Sequence, residues 1–182
     1  MPTATKTSAK SPKASTKAPA RSTAKGTGSP DAIELLMTDH REVKALFKEY
    51  DKLVKADADA GEKQVVAAQI CVMLTAHATA EEELFYPRAR EVLGDAEDLV
   101  DEADVEHASA KELIAQIEAG SPDDPLYDAK VKVLGEYIDH HVKEEEGEMF
   151  PKVRKSDLDL DALGEEIAAR KAELMGQDSE PH

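Results

Sequence analysis

The chain of 182 residues has one cysteine, no tryptophan and an aromatic content of only 4%. With Cys71 alone, no internal disulfide and no iron–sulfur or cysteine-clustered zinc site can form within one chain. Metal chemistry, if present, has to use histidine and carboxylates. No apolar run approaches the ~20 residues a membrane-spanning helix needs, and the N-terminus lacks the apolar centre of a secretory signal. The expectation is a cytoplasmic protein without membrane contact. Strand-type alternation is also missing.

Acidic residues are absent from the first 30 positions, which carry Lys6, Lys10, Lys13, Lys17, Arg21 and Lys25, whereas the rest holds 17 basic and 39 acidic residues. Tail and domain are thus electrically opposite. Residues 1–30 are otherwise Ala, Ser, Thr, Pro and Gly, with Met1 as the only larger apolar side chain. Such a segment cannot bury enough surface to offset its ordering entropy, so a disordered basic tail is expected. Spaced lysines can make weak, sequence-independent contact with nucleic acid, although no aromatic residue is present to stack on bases. A solubilising arm lying against its own acidic domain is the simpler use. Resemblance to an organellar transit segment is weakened by the single arginine.

What remains is helical. After Ser29-Pro30-Asp31, a helix-start signal, apolar or ligand-type residues recur three or four apart as Ile33, Met37, His40, Val43, Phe47, Tyr50 and Val54. A second face reads Ile70, Met73 or Leu74, His77, Glu81 and Leu84, with Pro87 expected to kink or end that helix. A third reads Val100, Ala103, His107, Ala110, Ile114 and Ile117, and a fourth Tyr127, Val131, Leu134, Ile138, His141, Glu145 and Met149, ending near Pro151. Long helices and short loops predict an all-α, antiparallel up-down-up-down four-helix bundle over residues 31–154. A short fifth helix and a tail follow in 155–182.

On each of the four helices, one histidine interrupts the apolar stripe near its middle. The second and fourth helices repeat one motif at an offset of 64, His77-x-x-x-Glu81-Glu82 through Tyr86-Pro87 and His141-x-x-x-Glu145-Glu146 through Phe150-Pro151. An i, i+4 pair puts imidazole and carboxylate on one face a turn apart, which is chelating geometry. Aligning the prolines selects His141 over His140, and Glu145 over Glu144 or Glu146. A lone core histidine is usually a satisfied structural residue, and a lone H-x-x-x-E says little. A carboxylate on an apolar stripe is different, because burying it unpaired is costly. Four imidazoles and two carboxylates converging in one core suit a pair of iron or manganese ions; a single ion would leave at least one group unpaired.

In these residues the chain resembles the hemerythrin HHE cation-binding family: His40 on the first helix, the H-x-x-x-E-E motif ending in Tyr86-Pro87 on the second, Glu106-His107 on the third, and H-x-x-x-E followed by Phe150-Pro151 on the fourth. The resemblance covers roughly Asp31 to Arg154. It implies a four-helix bundle holding a non-heme di-iron centre, oxo- or hydroxo-bridged, with Mn or Zn as substitutes. By position, His40, His77, His107 and His141 would be terminal ligands, and Glu81 and Glu145 the bridges.

Oxygen-carrying members of that family have a second histidine four residues after the one on the third helix, where this chain has Lys111, and an aspartate where it has Glu145 or Glu146. The donors then fill roughly ten of about twelve octahedral positions, leaving about two open. The implied activity is binding of, or reaction with, O2, nitric oxide, peroxide or small anions such as azide, in oxygen, redox or iron sensing or in stress response. Weak peroxide- or O2-directed turnover is left open. A reversible oxygen carrier and an iron-responsive interaction protein acting through the basic tail are the alternatives. A ferritin-like oxygenase is disfavoured, because no histidine here has a glutamate three residues before it. Tyr50 is expected in the core, a ligand only if its helix is irregular; Cys71 is expected to be a buried small hydrophobe. Asp39, Glu82, Glu106 and Asp139 are positioned to orient imidazoles, although most acidic residues on so negative a chain are solvated. Oligomeric state and redox partner are left open.

Overall fold

The computed structural model describes residues 29–177; the basic tail expected for residues 1–30 therefore lies, apart from Ser29 and Pro30, outside the described residues. The described chain is helical and contains no strand. Helix α1 spans Ala32–Lys55, α2 Ala60–Ala80, α3 Tyr86–Leu93, α4 Asp98–Glu118, α5 Tyr127–Glu144, α6 Phe150–Val153 and α7 Leu160–Gln177. Two π-helical turns, Glu81–Phe85 and Glu145–Met149, join α2 to α3 and α5 to α6, so the chain forms four long arms and a fifth helix.

Local chemistry sets the ends of these arms. Asp31 and Glu34 form a reciprocal capping box at the start of α1, and Asp59 caps α2 by accepting from the Glu62 N–H. The turn after α3 passes through Gly94 at φ 53°, ψ −115°, a conformation open to glycine but not to a residue with a Cβ. The arms pack as α1 against α2 and α5, and α4 against α5 and α2, the antiparallel order expected. Helix α7 lies across α1 and α2, and its approach is close: a Cβ on Gly164 would sit 2.8 Å from the Ala32 nitrogen and 2.9 Å from the Pro30 oxygen.

The interior divides into two apolar clusters. One contains Val43, Ile70, Leu74, Ile114, Leu134 and Ile138; the other contains Leu36, Phe85, Val100, Met149, Phe150, Val153 and, from α7, Leu163 and Ile167. Between them lies the only polar layer of the core among the described residues.

Of the two outcomes expected at Pro87, a kink or an end, the helix is interrupted by a π turn and continues, while the fourth arm ends at Val153, near Pro151 as expected. Pro87 and Pro151 fall in the first turns of α3 and α6, directly after the π turns. The N–H of Tyr86 bonds to the Glu81 oxygen and that of Phe150 to the Glu145 oxygen, five residues back. The widened turn accommodates the missing proline donor and ring, and the arm continues. It also slips the buried face by one position: Leu84, expected on the stripe, is half-buried, and Phe85 is fully buried in its place.

Candidate metal centre

His40 on α1, His77 on α2, His107 on α4 and His141 on α5 all reach the polar layer and all are buried. Glu81 and Glu145, 0% and 1% exposed, open the two π turns beside them. The fold thus brings together all six residues singled out by the stripes and the repeat.

Each imidazole is held from outside. The Nδ1 of His40 lies 2.9 Å from Glu146 Oε1, that of His77 2.9 Å from Asp39 Oδ2, that of His107 3.0 Å from Glu82 Oε1 and that of His141 2.9 Å from Glu106 Oε2. An ionised carboxylate only accepts, so every Nδ1 carries the proton and every Nε2 is turned inward. Inside, His40 Nε2 and His77 Nε2 are 3.2 Å apart, and His107 Nε2 and His141 Nε2 3.1 Å apart. Two facing lone pairs at that distance repel unless a cation lies between or beside them.

The carboxylates point to the same need. Glu81 Oε2 lies 3.1 Å from His77 Nε2 and 3.4 Å from His107 Nε2, while Glu145 Oε2 lies 3.4 Å from both His40 Nε2 and His141 Nε2. Both oxygens of Glu81 and Oε2 of Glu145 are buried without a hydrogen-bond donor. Donor atoms of His40, His77, Glu81 and Glu145 cluster closely enough for one ion, and those of Glu81, His107 and His141 for a second, with Glu81 common to both. Two imidazole pairs with a carboxylate between them fit two cations and leave a single cation badly shared.

In the metal-free chain, protons take that role. Burial lowers the proton affinity of His77, but Glu81 and Asp39 outweigh it and hold the imidazole at about 10. His141, also opposed by burial, is held at about 9 by Glu145, Glu106 and Glu81. Burial raises the pKa of Glu81, yet the charges of His77 and His107 drive it well below the ordinary range. Metal binding must displace these protons.

Several residues occupy places that sequence alone did not assign. Tyr86 donates to Glu145 Oε1 at 2.9 Å and lies 3.2 Å from His107 Nε2; it is the tyrosine of the site. Tyr50, by contrast, is core as expected from the sequence, its hydroxyl donating to Asp128 at 2.7 Å. Glu146, set aside in the repeat alignment, holds His40. Asp139 pairs with Lys44 at the surface and orients no imidazole. Lys111, at the position where oxygen carriers have histidine, turns outward to Glu82 at 2.6 Å and offers the centre no donor. On the other side Lys171 of α7 pairs with Asp39. The equivalence of Tyr86 and Phe150 in the repeat was the signal that a hydroxyl enters one half and not the other. Cys71 is buried, with its thiol pushed up to about 12 by the surrounding core.

Comparison with known proteins agrees with this layout. The family model for the hemerythrin HHE cation binding domain matches residues 31–153. A protein of Nostoc named DNA nickase is 35% identical over 125 residues, covering 68% of this chain but 33% of its own length, so the chain spans about a third of that relative. An uncharacterized protein of Mycobacterium tuberculosis is 26% identical over 149 residues, covering 80% of this chain and 88% of the other. The crystal structure of a hemerythrin HHE cation binding domain-containing protein from Mycobacterium kansasii superposes with a TM-score of 0.66 at 24% identity, over 82% of this chain and 90% of that one. With the family pattern matched across two thirds of its length, the chain belongs to the hemerythrin HHE cation-binding domain family.

Proposed function

We propose that the family's cation site is, in this chain, a di-iron centre held by His40, His77, Glu81, His107, His141 and Glu145, and that it binds or reacts with O2, nitric oxide or peroxide. The observation carrying this reading is the group of buried oxygens, both of Glu81 and Oε2 of Glu145, left without donors between two imidazole pairs. When bound, two iron ions supply electrons to such small oxidants, together with open coordination positions. The chain supplies the rest. Four outer carboxylates fix the imidazoles with Nε2 inward, and the two apolar clusters exclude bulk water on either side. A narrow cavity beside the histidines, walled by Val43, Leu74, Ala110, Ile114, Ile138 and Val142, suits a small uncharged molecule. Tyr86 holds a proton at Glu145 Oε1, kept on the phenol by burial and by the charges of Glu145 and Glu81.

Lys111, drawn away by Glu82, leaves the centre more open than a carrier's. The diferrous protein should therefore be oxidised by air without a long-lived oxygenated form. The test is to reduce the protein anaerobically, expose it to air in a stopped-flow spectrometer and purge with argon. Oxidation that argon does not reverse supports the reading; return of the diferrous spectrum would make the protein a reversible carrier. Iron near two per chain in aerobically purified protein is the companion measurement.

A second reading is favoured by the lysines of residues 1–30 and by the name of the Nostoc relative: an iron-responsive contact with nucleic acid through the tail. Mobility-shift measurements with and without iron test it, and identical, salt-insensitive migration in both would remove it.

A further inference from the structure

The four outer carboxylates are not treated alike. Asp39 is met by Lys171 and Glu82 by Lys111, so in both cases an ammonium ion neutralises the carboxylate from outside. At Glu106 the arrangement differs. Its Oε2 accepts from His141, while its Oε1 lies 3.5 Å from Nε2 of His140, and that same nitrogen lies 3.3 Å from Glu144 Oε1. An imidazole and two carboxylates offer donor atoms within reach of one ion. Distances of 3.3 and 3.5 Å match the edges, about 3.4 Å, of a tetrahedron with bonds of about 2.1 Å to a zinc-type cation.

A second feature lies beneath this group. A small crevice between α4 and α5 is walled by Ala103 and Met149 and bounded by Glu106 and Glu144, both part-exposed, and by His141 and Glu145, both buried. Glu145 Oε2 is among the buried oxygens that have no donor. A cation held by Glu106 and Glu144 would thus lie across the crevice from His141 and Glu145, two residues of the buried group, whose Glu145 Oε2 itself faces His40 and His141. The chain after residue 30 has 17 basic against 39 acidic residues, which draws cations from solution.

We propose that Glu106, His140 and Glu144 form an outer site for a divalent cation of the Fe2+ or Zn2+ type, and that the crevice beneath them loads the buried centre. The loading step rests on the reading of that centre as an iron site; the outer site stands on its own ligands. His140 thereby acquires a role distinct from that of its neighbour His141, being a ligand in transit rather than a resident one.

The experiment uses the full chain stripped of metal. Fe2+ is added under argon, samples are quenched at intervals with a strong ferrous chelator, and retained iron is taken as buried. The double variant His140→Ala/Glu144→Gln should fill about ten-fold more slowly than the wild type yet reach the same final iron content. A control that neutralises two other exposed carboxylates, Glu102→Gln/Glu136→Gln, should fill at the wild-type rate. A double variant that fills as fast as the wild type, or a control slowed equally, overturns the loading route. Equilibrium titration with Co2+ reads the outer site separately: the wild type should bind one weak equivalent that the double variant lacks, and identical titrations overturn it. Should the wild type itself retain no iron, the buried-centre reading and the loading route fail together, and the Co2+ titration still decides the outer site. His140 is exposed and Glu144 part-exposed, and circular dichroism melting checks that the variant is folded.

Discussion

The two halves of the bundle use the same motif and end differently. In each, an H-x-x-x-E pair is followed by a π turn and a proline, and in each the glutamate bridges toward a histidine of the other half. At the next position the symmetry breaks. Phe150 stacks flat on His40, with ring centroids 5.9 Å apart and planes 5° apart, whereas Tyr86 puts a hydroxyl against Glu145 and His107. The backbone repeat builds a twofold cage, and one oxygen atom makes its two halves chemically unequal. The π turn teaches a second lesson, since it moves Phe85 into the core while keeping Glu81 aimed at the centre.

The largest expected effect comes from removing metal altogether, which takes the compensation from both halves at once. A cation present at a thousand times its dissociation constant adds about 4 kcal/mol per site to the native state, and its loss leaves the buried oxygens of Glu81 and Oε2 of Glu145 with only the imidazoles beside them. Melting curves of metal-free and iron-loaded protein should differ clearly; coincident curves would remove the site. Next in size are single substitutions. Glu81→Ala should empty both positions, since its carboxylate is common to the two donor groups, and His141→Ala should lose much of the iron. His140→Ala should leave equilibrium iron nearly unchanged, because that imidazole is exposed. Glu146→Ala should fall between them, weakening iron by about 10–100-fold through the freed His40 ring. Metal analysis after dialysis ranks the four, and an emptied His140→Ala protein beside a full His141→Ala protein would reverse the register.

Proton affinity separates the halves more finely. The unfolded imidazole titrates near about 6.5, while in the metal-free native chain His77 sits at about 10 and His141 at about 9. The native state therefore binds these protons more tightly. Their contribution to stability is fully present below the unfolded value and is lost as pH rises through the folded ones. The melting temperature of metal-free protein should fall between neutral pH and about 10, and the iron-loaded protein should lack this fall because metal has already displaced the protons. In His77→Ala the upper end of the fall should disappear. Parallel pH profiles for the two forms would show that the imidazoles carry no such protons.

Much of this was legible in the sequence, and the reasons are physical. His40, His77, His107 and His141 interrupt apolar stripes whose 3.6-residue period fixes which way they face, and a repeat at constant offset fixes the register of Glu81 and Glu145. Four-helix topology followed from short loops. The path past Pro87 was not legible, because a proline in a stripe reads as a break unless a wider turn is known to precede it. Helical spacing did not mark Tyr86 as a site residue for the same cause, since without the π turn its distance from His77 and Glu81 does not aim it at the centre; only its equivalence to Phe150 in the repeat pointed to it. Glu146 and Lys171 act through contacts across helices, 106 and 132 residues from their partners, and no local pattern encodes those.

The smallest and sharpest test is to make the halves alike. Tyr86→Phe deletes one hydroxyl and leaves the ring that packs between Phe85 and His107. In the metal-free protein it leaves Glu145 Oε1 buried without its donor, and an orphaned buried acceptor costs about 1–3 kcal/mol. In the iron-loaded protein that oxygen has a cation beside it, so the same deletion should cost less. Urea denaturation of wild type and variant, each with iron and with a chelator, gives the four stabilities required. A penalty that shrinks on loading means that the hydroxyl stands in for a cation at Glu145, and therefore that the two cation positions differ through this one atom. An equal penalty in both states would reduce Tyr86 to a packing residue and return the centre to the symmetry its repeat suggests.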